Sequence, residues 1–409
     1  MHCLFKTIKK YQMKKIILSL VLIVESFFVL AQTVSVKEKM QQLIKENFAL
    51  ADTQYRYMMT LTALNKMPQT YDEKNNKLDA RDITWWCSGF YPGTLWYIYE
   101  QTNDEVIKNE AERALQVIEP NQTYTGNHDL GFMMYCSFGN AYRLTKIEKY
   151  KHIIFRSAQS LATRYRPSIK AIQSWNKNKY FNCPVIIDNM MNLEMLCWVS
   201  ANGGDKKYED IAITHSNTTI KNHFRSDYSS YHVVDYDLTT GQVIKKATWQ
   251  GAANCSPWAR GQAWGLYGYT MMYRFTKNKV YLEQAKNIAK FILNHPNLPA
   301  DKIPYWDFEA PMIPFAKRDA SAAAIMASAL LELGQYTYGA AKKEYISAAE
   351  TILQSLSSDE YRAKAGQNGG FLLIHSTGAF PFNSEIDVPL IYADYYFIEA
   401  LKRYKDWYL

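Results

Sequence analysis

The sequence has no Cys-x-x-Cys pair, no His-Glu-x-x-His, no EF-hand loop and no His/Cys cluster among its eight scattered histidines, so a resident metal finds no ligand set. The phosphate loop, the dinucleotide fingerprint and Gly-x-Ser-x-Gly are missing too. These absences leave cofactor-free hydrolysis as the remaining enzymatic class. No stripe dense in Lys and Arg and interleaved with aromatics occurs, so nucleic-acid binding is not expected. No Pro/Gly/Ser-rich stretch or charge run divides the chain, which argues for one domain where length alone would suggest two.

What is present begins with a leader. Lys6, Lys9, Lys10, Lys14 and Lys15 precede the apolar block Ile16 to Leu30, and Val29-Leu30-Ala31 suits a signal peptidase. Residues 1–31 therefore read as a secretory signal, with Met13 a candidate true start because Met-Lys-Lys followed by the apolar run is complete on its own. The block is short and wrongly flanked for a stable membrane anchor, and no Cys follows it to carry a lipid. Periplasmic or secreted localisation is the expectation. Without these residues the formal charge falls from +8 to +4, since five lysines and one glutamate go with them. Five cysteines remain (Cys87, Cys136, Cys183, Cys197, Cys255), widely spaced and mostly inside apolar helical pattern, and read as buried small hydrophobes.

Residues 32–409 show one recurring design. Six segments start with a polar residue, continue with small residues and end in aromatics and aliphatics; they begin near Ser88, Asp129, Asp188, Arg260, Asp319 and Asp387. Between them lie two-faced, more charged helices over 105–117, 146–165, 205–224, 279–293 and 342–356. Helices apolar all round need neighbours all round, so alternation of inner and outer helices closes into an all-α (α/α)6 barrel of six hairpins. Inner helices of such a ring run parallel, and their starts gather at one end. Any single Asp there also serves as a plain N-cap.

The loops at those starts are rich in Trp, His and amides, the residue types that stack on sugar rings and bind hydroxyls and carboxylates. Asp129 and Asp188, on neighbouring inner helices, supply the paired carboxylates of glycoside cleavage. The apolar flanks Val185-Ile186-Ile187 and Met190-Met191 should hold Asp188 protonated, making it the candidate acid. Asp129, between His128 and Gly131, has a more polar setting and is expected to stay ionised.

At these residues the chain resembles the unsaturated glucuronyl hydrolases, family 88 of the glycoside hydrolases, from about residue 80 to the C-terminus. The carrying stretches are Trp86-Cys-Ser-Gly-Phe-Tyr-Pro-Gly, His128-Asp-Leu-Gly-Phe-Met, Ile187-Asp-Asn-Met-Met-Asn, His232, Gln250-Gly through Trp264, Arg318-Asp-Ala-Ser-Ala-Ala and Tyr392-Ala-Asp-Tyr-Tyr-Phe. The resemblance implies hydration of the C4=C5 vinyl ether in lyase-generated glycosaminoglycan disaccharides of chondroitin, hyaluronan or heparan type, without a cofactor. By it, Asp188 is acid and then base, Asp129 holds ring hydroxyls, and Trp86, His128, Trp175, His232, Gln250, Arg260, Trp264 and Ser376 bind substrate. Arg260 and Gln250 suit the uronate carboxylate, and Trp86, Trp175 and Trp264 suit stacking. Members that prefer 6-sulfated hexosamine carry a Ser-x-x-Ser-x-Lys element, of which His375-Ser-Thr-Gly-Ala-Phe-Pro keeps the first Ser alone. The rival readings are an unsaturated rhamnogalacturonyl hydrolase acting on pectin fragments and a non-catalytic saccharide-binding protein.

Overall fold

The computed structural model describes residues 36–409; the leader at residues 1–31, with Met13, lies outside the described residues. The first helix, α1 (36–61), precedes a hairpin of β1 (Met67–Asp72) and β2 (Lys77–Arg81). Inner and outer helices then alternate. Inner α2 (Phe90–Thr102) is followed by outer α3 (Glu105–Ile118). A π-helical run, Gly131–Gly139, continues into α4 (Asn140–Thr145) and is followed by outer α5 (Glu148–Ala162). After the short strands β3 (Tyr165–Arg166), β4 (Ala171–Ile172) and β5 (Pro184–Ile186) come inner α6 (Asn189–Ala201) and outer α7 (Lys207–His223). Strands β6 (Val233–Tyr236) and β7 (Val243–Ala247) lead to inner α8 (Ala259–Thr276), outer α9 (Lys279–Asn294), inner α10 (Ala320–Gln335) and outer α11 (Gly339–Leu356). A hairpin of β8 (Ser376–Ala379) and β9 (Ser384–Val388) precedes the last inner helix, α12 (Ile391–Tyr408).

The ring closes as the periodicity requires. Helix α2 packs on the π-helical segment, that segment on α6, α6 on α8, α8 on α10, α10 on α12, and α12 back on α2. The protein is an (α/α)6 barrel. Its sixth outer helix is α1, which buries Met40, Ile44, Phe48, Ala51, Tyr55 and Met58 along one stripe and stacks Tyr55 on Tyr91 at 5.9 Å between ring centroids. Outer α3 and α9 bury one face each, whereas every residue of α10 from Ala320 to Gly334 is buried. Across the inner helices, Arg274 in the last turn of α8 binds Glu194 of α6 (2.6 Å) and Glu332 of α10 (2.7 Å), and Arg403 of α12 binds Glu332 (3.0 Å). Arg274 thereby sets a cation where the α8 dipole ends negative.

Three expectations change. The second inner helix is π-helical over its first nine residues, because tertiary contacts set its backbone. Its Phe132 and Met133 carbonyls press against Gly89, where a Cβ would sit 2.3 and 2.2 Å from them, and Phe132 N donates to Asn192 Oδ1. Asp387 does not start an inner helix: it lies in β9, paired with His375 and Lys317. Pro389 behind it keeps the chain extended until Ile391. Finally, Cys255 is exposed and Cys136 half-buried, while Cys87, Cys183 and Cys197 are buried as expected.

The long loops all lie at the N-terminal ends of the inner helices. They carry the antiparallel sheet β5-β6-β7 and the β8-β9 hairpin, small strands that the all-helical reading did not include.

Candidate active site

The N-cap alternative separates the acidic residues at the inner-helix starts. Asp319 is a cap: its carboxylate accepts from Ser321 N (3.1 Å) and Ser321 Oγ (2.5 Å), and it is fully buried. Asp188 occupies the N-cap position of α6 but makes no side-chain cap bond, and Asp129 makes none for the π-helix. Both carboxyls are free for other work. Their side chains keep only 15% (Asp129) and 13% (Asp188) of their surface exposed.

Burial raises both from the ordinary carboxylate value. Asp129 is pushed up to about 8, by desolvation first and the Asp188 charge second, with Arg164 and Asn192 opposing. Asp188 is pushed up to about 7, by desolvation, with the Arg260 charge and the Trp264 indole N–H opposing. The pair shares its protons, so the two values describe it jointly. Asp188 is protonatable near neutrality, as its flanks implied. Asp129 is not in the polar, ionised setting expected of it.

Other expected residues converge on this pair. His128 Nε2 lies 3.3 Å from Asp129 Oδ1, and His232 Nε2 lies 3.8 Å from Asp188 Oδ2. Both imidazoles are buried and neutral, since desolvation takes His128 down to about 3 and His232 well below its usual value. Phe132 bridges Trp86 (5.5 Å) and Trp264 (5.1 Å), and Trp86 rests on Tyr392 at 4.8 Å. The guanidinium of Arg260 lies over Tyr392. Ser376 is fully buried in β8, beside the Thr377 and Gly378 carbonyls that Arg260 binds.

Two assigned roles change. Trp264 is buried between Phe132 and Tyr396, so its ring offers no stacking face; what it offers is an indole N–H beside Asp188. Arg260 is no open fork. Its Nη1 donates to Asp319 (3.0 Å) and Thr377 O (2.6 Å), and its Nη2 to Gly378 O (2.7 Å), leaving Nε and one Nη2 hydrogen. Gln250 Nε2 likewise reaches Gly378 O at 3.2 Å. Trp175 pairs by its backbone with Asn127, two residues before Asp129, and its ring belongs to a rim cluster with Phe181 (5.9 Å) and Trp249 (6.4 Å). Tyr180 and Phe382 extend that rim, and Lys245 and Lys179 sit over its rings.

Sequence reasoning passed over Asn192, Asn189 and Tyr392. Asn192 falls one helical turn below Asp188 and so shares its face, a spacing visible in Asp188-Asn-Met-Met-Asn. Tyr392 was hidden by placing the start of the last helix at Asp387. Several buried polar atoms here have no protein partner: Asp188 Oδ2, Asn192 Nδ2, His232 Nε2, Trp264 Nε1, Ser376 Oγ and Tyr392 OH. Buried polar atoms are seldom left unpaired, and a group of them contributed by five elements is what a site for a hydroxyl-rich ligand requires.

No protein-family profile matches the chain. An unsaturated glucuronyl hydrolase of Formosa agariphila is 45% identical over 372 residues, spanning 90% of this chain and 92% of that one. An unsaturated chondroitin disaccharide hydrolase of Streptococcus pyogenes serotype M1 is 34% identical, over 82% of this chain and 85% of that one. A solved structure of an unsaturated glucuronyl hydrolase specific for heparin superposes with a TM-score of 0.86 at 46% identity, covering 89% of this chain and 97% of that one.

Proposed function

The chain belongs to the unsaturated glucuronyl hydrolases, and from that premise we propose that Asp188 and Asp129 perform its vinyl-ether hydration. It is a glycoside hydrolase that removes the 4,5-unsaturated uronic acid from glycosaminoglycan disaccharides. In the proposed sequence Asp188 gives its proton to C4, leaving an oxocarbenium ion shared between C5 and the ring oxygen. Asp188, now a carboxylate, takes a proton from the water that adds to C5. The hemiketal opens, releasing the second sugar and a keto acid, so the sum is addition of one water. The observation that carries this reading is the Asp188 carboxyl itself: nearly buried, not used as a cap, with one oxygen unpartnered and a proton affinity close to neutrality. Asp129 accepts the ring hydroxyls, and the gathered N-terminal ends of the inner helices favour the anionic uronate.

Within this reaction the preferred substrate is proposed to be heparin-type. In the β8-β9 hairpin Ala379 and Pro381 stand where the Ser-x-x-Ser-x-Lys element carries its second hydroxyl and its ammonium, with Phe380 stacked on Trp306 at 4.4 Å and Phe382 set against Trp249 at 4.9 Å. The relative specific for heparin points the same way. Loss of the ultraviolet absorbance of the conjugated C4=C5 carboxylate, followed on a disaccharide panel, tests this. Heparin-type disaccharide is expected to give a kcat/KM at least tenfold above 6-sulfated chondroitin disaccharide, a difference of roughly 1.4 kcal/mol in transition-state binding; the reverse order sinks the preference.

Export is part of the proposal and rests on the leader pattern alone. Expression in a Gram-negative host should yield a periplasmic protein whose first residue is Gln32. A mature chain that keeps Met1 or Met13 would contradict it.

A further inference from the structure

We propose that Asn192 is a positioning residue for Asp129: it takes over the capping of the helix that Asp129 begins, and so keeps the Asp129 carboxyl free for substrate. The inference rests on Asp129 and Asp188 being the working pair. It supplies the means by which two aspartates at helix starts are kept from the bonds that helix starts ordinarily draw from them.

An aspartate at an N-cap accepts from the backbone N–H two or three residues on. Elsewhere in this protein it does so. Asp104 accepts from Val106 N (2.8 Å) and Ile107 N (3.4 Å) at the start of α3, and Asp319 accepts from Ser321 N at the start of α10. Asp129 holds the same position, because its carbonyl accepts the first bond of its helix, from Met133 N at 2.9 Å. Its carboxyl nevertheless makes no capping bond.

The reason lies in α6. Phe132 N, three residues beyond Asp129 and so one of the two donors an Asp129 cap would use, donates instead to Asn192 Oδ1 at 3.1 Å. The bond is buried, and among the described residues it is the one hydrogen bond that the Asn192 side chain makes. Asn192 reaches the helix start because position 131 is glycine: a Cβ there would sit 2.5 Å from Asn192 Cα and 2.7 Å from its Oδ1. Close approach at Gly131 and the bond at Phe132 are two sides of one contact.

Asp188 is released by a different device. The two N–H groups its carboxyl would cap, Met190 N and Met191 N, donate to Ile187 O (3.1 Å) and to Asp188 O (2.9 Å) in the turn that opens α6. One carboxyl is thus freed by its own backbone, and the other by a side chain four residues on from the first. Asn192 therefore ties the segment that carries Asp129 to the helix that carries Asp188. A capping Asp129 would also gain a donor to its charged form and lose proton affinity, whereas the uncapped carboxyl is pushed up to about 8 by burial and by the Asp188 charge.

A crystal structure of Asn192→Ala without substrate reads the first consequence. With the Phe132 N–H released, the Asp129 carboxylate is expected to turn onto it, to within about 3 Å. Gly131→Ala, which displaces Asn192 from the opposite side, should do the same and serves if Asn192→Ala does not fold; Asn192→Asp keeps an acceptor of the same shape and should leave Asp129 in place. An Asp129 carboxyl that stays where it is in the first two variants overturns the inference. Binding reads the second consequence. In an Asp188→Asn background, calorimetric titration with an unsaturated heparin-type disaccharide should weaken at least about tenfold on Asn192→Ala, the scale of one hydrogen bond to a charged group. Added to Asp129→Ala in that background, Asn192→Ala should cost nothing more. Additive losses would make Asn192 merely structural. Failure of the Asp188→Asn protein itself to bind would fall on the proposed function, with the position of Asp129 still deciding the cap.

Discussion

Replacing Asp188 by Asn is expected to lower kcat on an unsaturated disaccharide by roughly 10³-fold or more, at the upper end of what one acid-base group contributes because the same carboxyl serves both proton transfers. KM should stay within a few-fold, since Asn keeps the shape of the side chain and Asp129, His128 and His232 remain in place. The same change should stabilise the fold, with a pH signature. Burial raises the folded-state value of Asp188 to about 7 from an ordinary carboxylate value. Between the two the folded protein binds more protons than the unfolded chain, so stability is lost as pH rises through that window and the full loss is present above it. Asn carries no such penalty. Its gain in melting temperature, a few degrees for a chain of this size, should therefore be larger at pH 8 than at pH 5. Calorimetry at the two pH values checks it: equal gains would mean that Asp188 is not held protonated by burial. Retained activity would remove Asp188 from the chemistry.

The distinction between inner and outer helices was legible because burial leaves a mark on every position. A helix such as α10, rich in Ala and buried from end to end, has no polar face to hide, and six such segments can only form the lining of a ring. Helix α1 carries the same amphipathic stripe as the other outer helices, and a ring of six hairpins needs it as the sixth; it was left unplaced because it precedes the first inner segment. The π-helical run was not legible at all. Side-chain pattern reports which face is buried and not whether a carbonyl is reached from four or five residues on; that choice is made by Gly89 and Asn192 in neighbouring elements.

At the site, sequence pointed to Asp129 and Asp188 because a helix start is a place. It could not say which of them holds a proton. That depends on how deeply each carboxyl is buried and on the charges set beside it, Asp188 and Arg164 for Asp129 and Arg260 for Asp188. Arg260 shows the same limit: a cation in the right motif is visible in sequence, but the partners that consume its hydrogens are not.

Those partners make Arg260→Met the most damaging change away from the carboxyl pair. Asp319 is fully buried and relies on Arg260 as its cation. Removing one partner of a buried ion pair leaves an uncompensated charge and costs about 3–5 kcal/mol. Here the Thr377 and Gly378 carbonyls lose their donors as well, and with them the β8-β9 hairpin loses its tie to α8. Urea unfolding should therefore show a loss in that range, and activity should disappear with it. Removal of the Arg260 charge also withdraws the interaction that most lowers the Asp188 proton affinity, so any residual activity should extend to higher pH. The double variant Arg260→Met/Asp319→Asn separates the two contributions. It should regain part of the lost stability, since no buried charge is left alone, and none of the activity. A single variant that unfolds like wild type and differs only in KM would show that Arg260 acts as a substrate-binding fork after all, and that the hairpin over the pocket is held by something else.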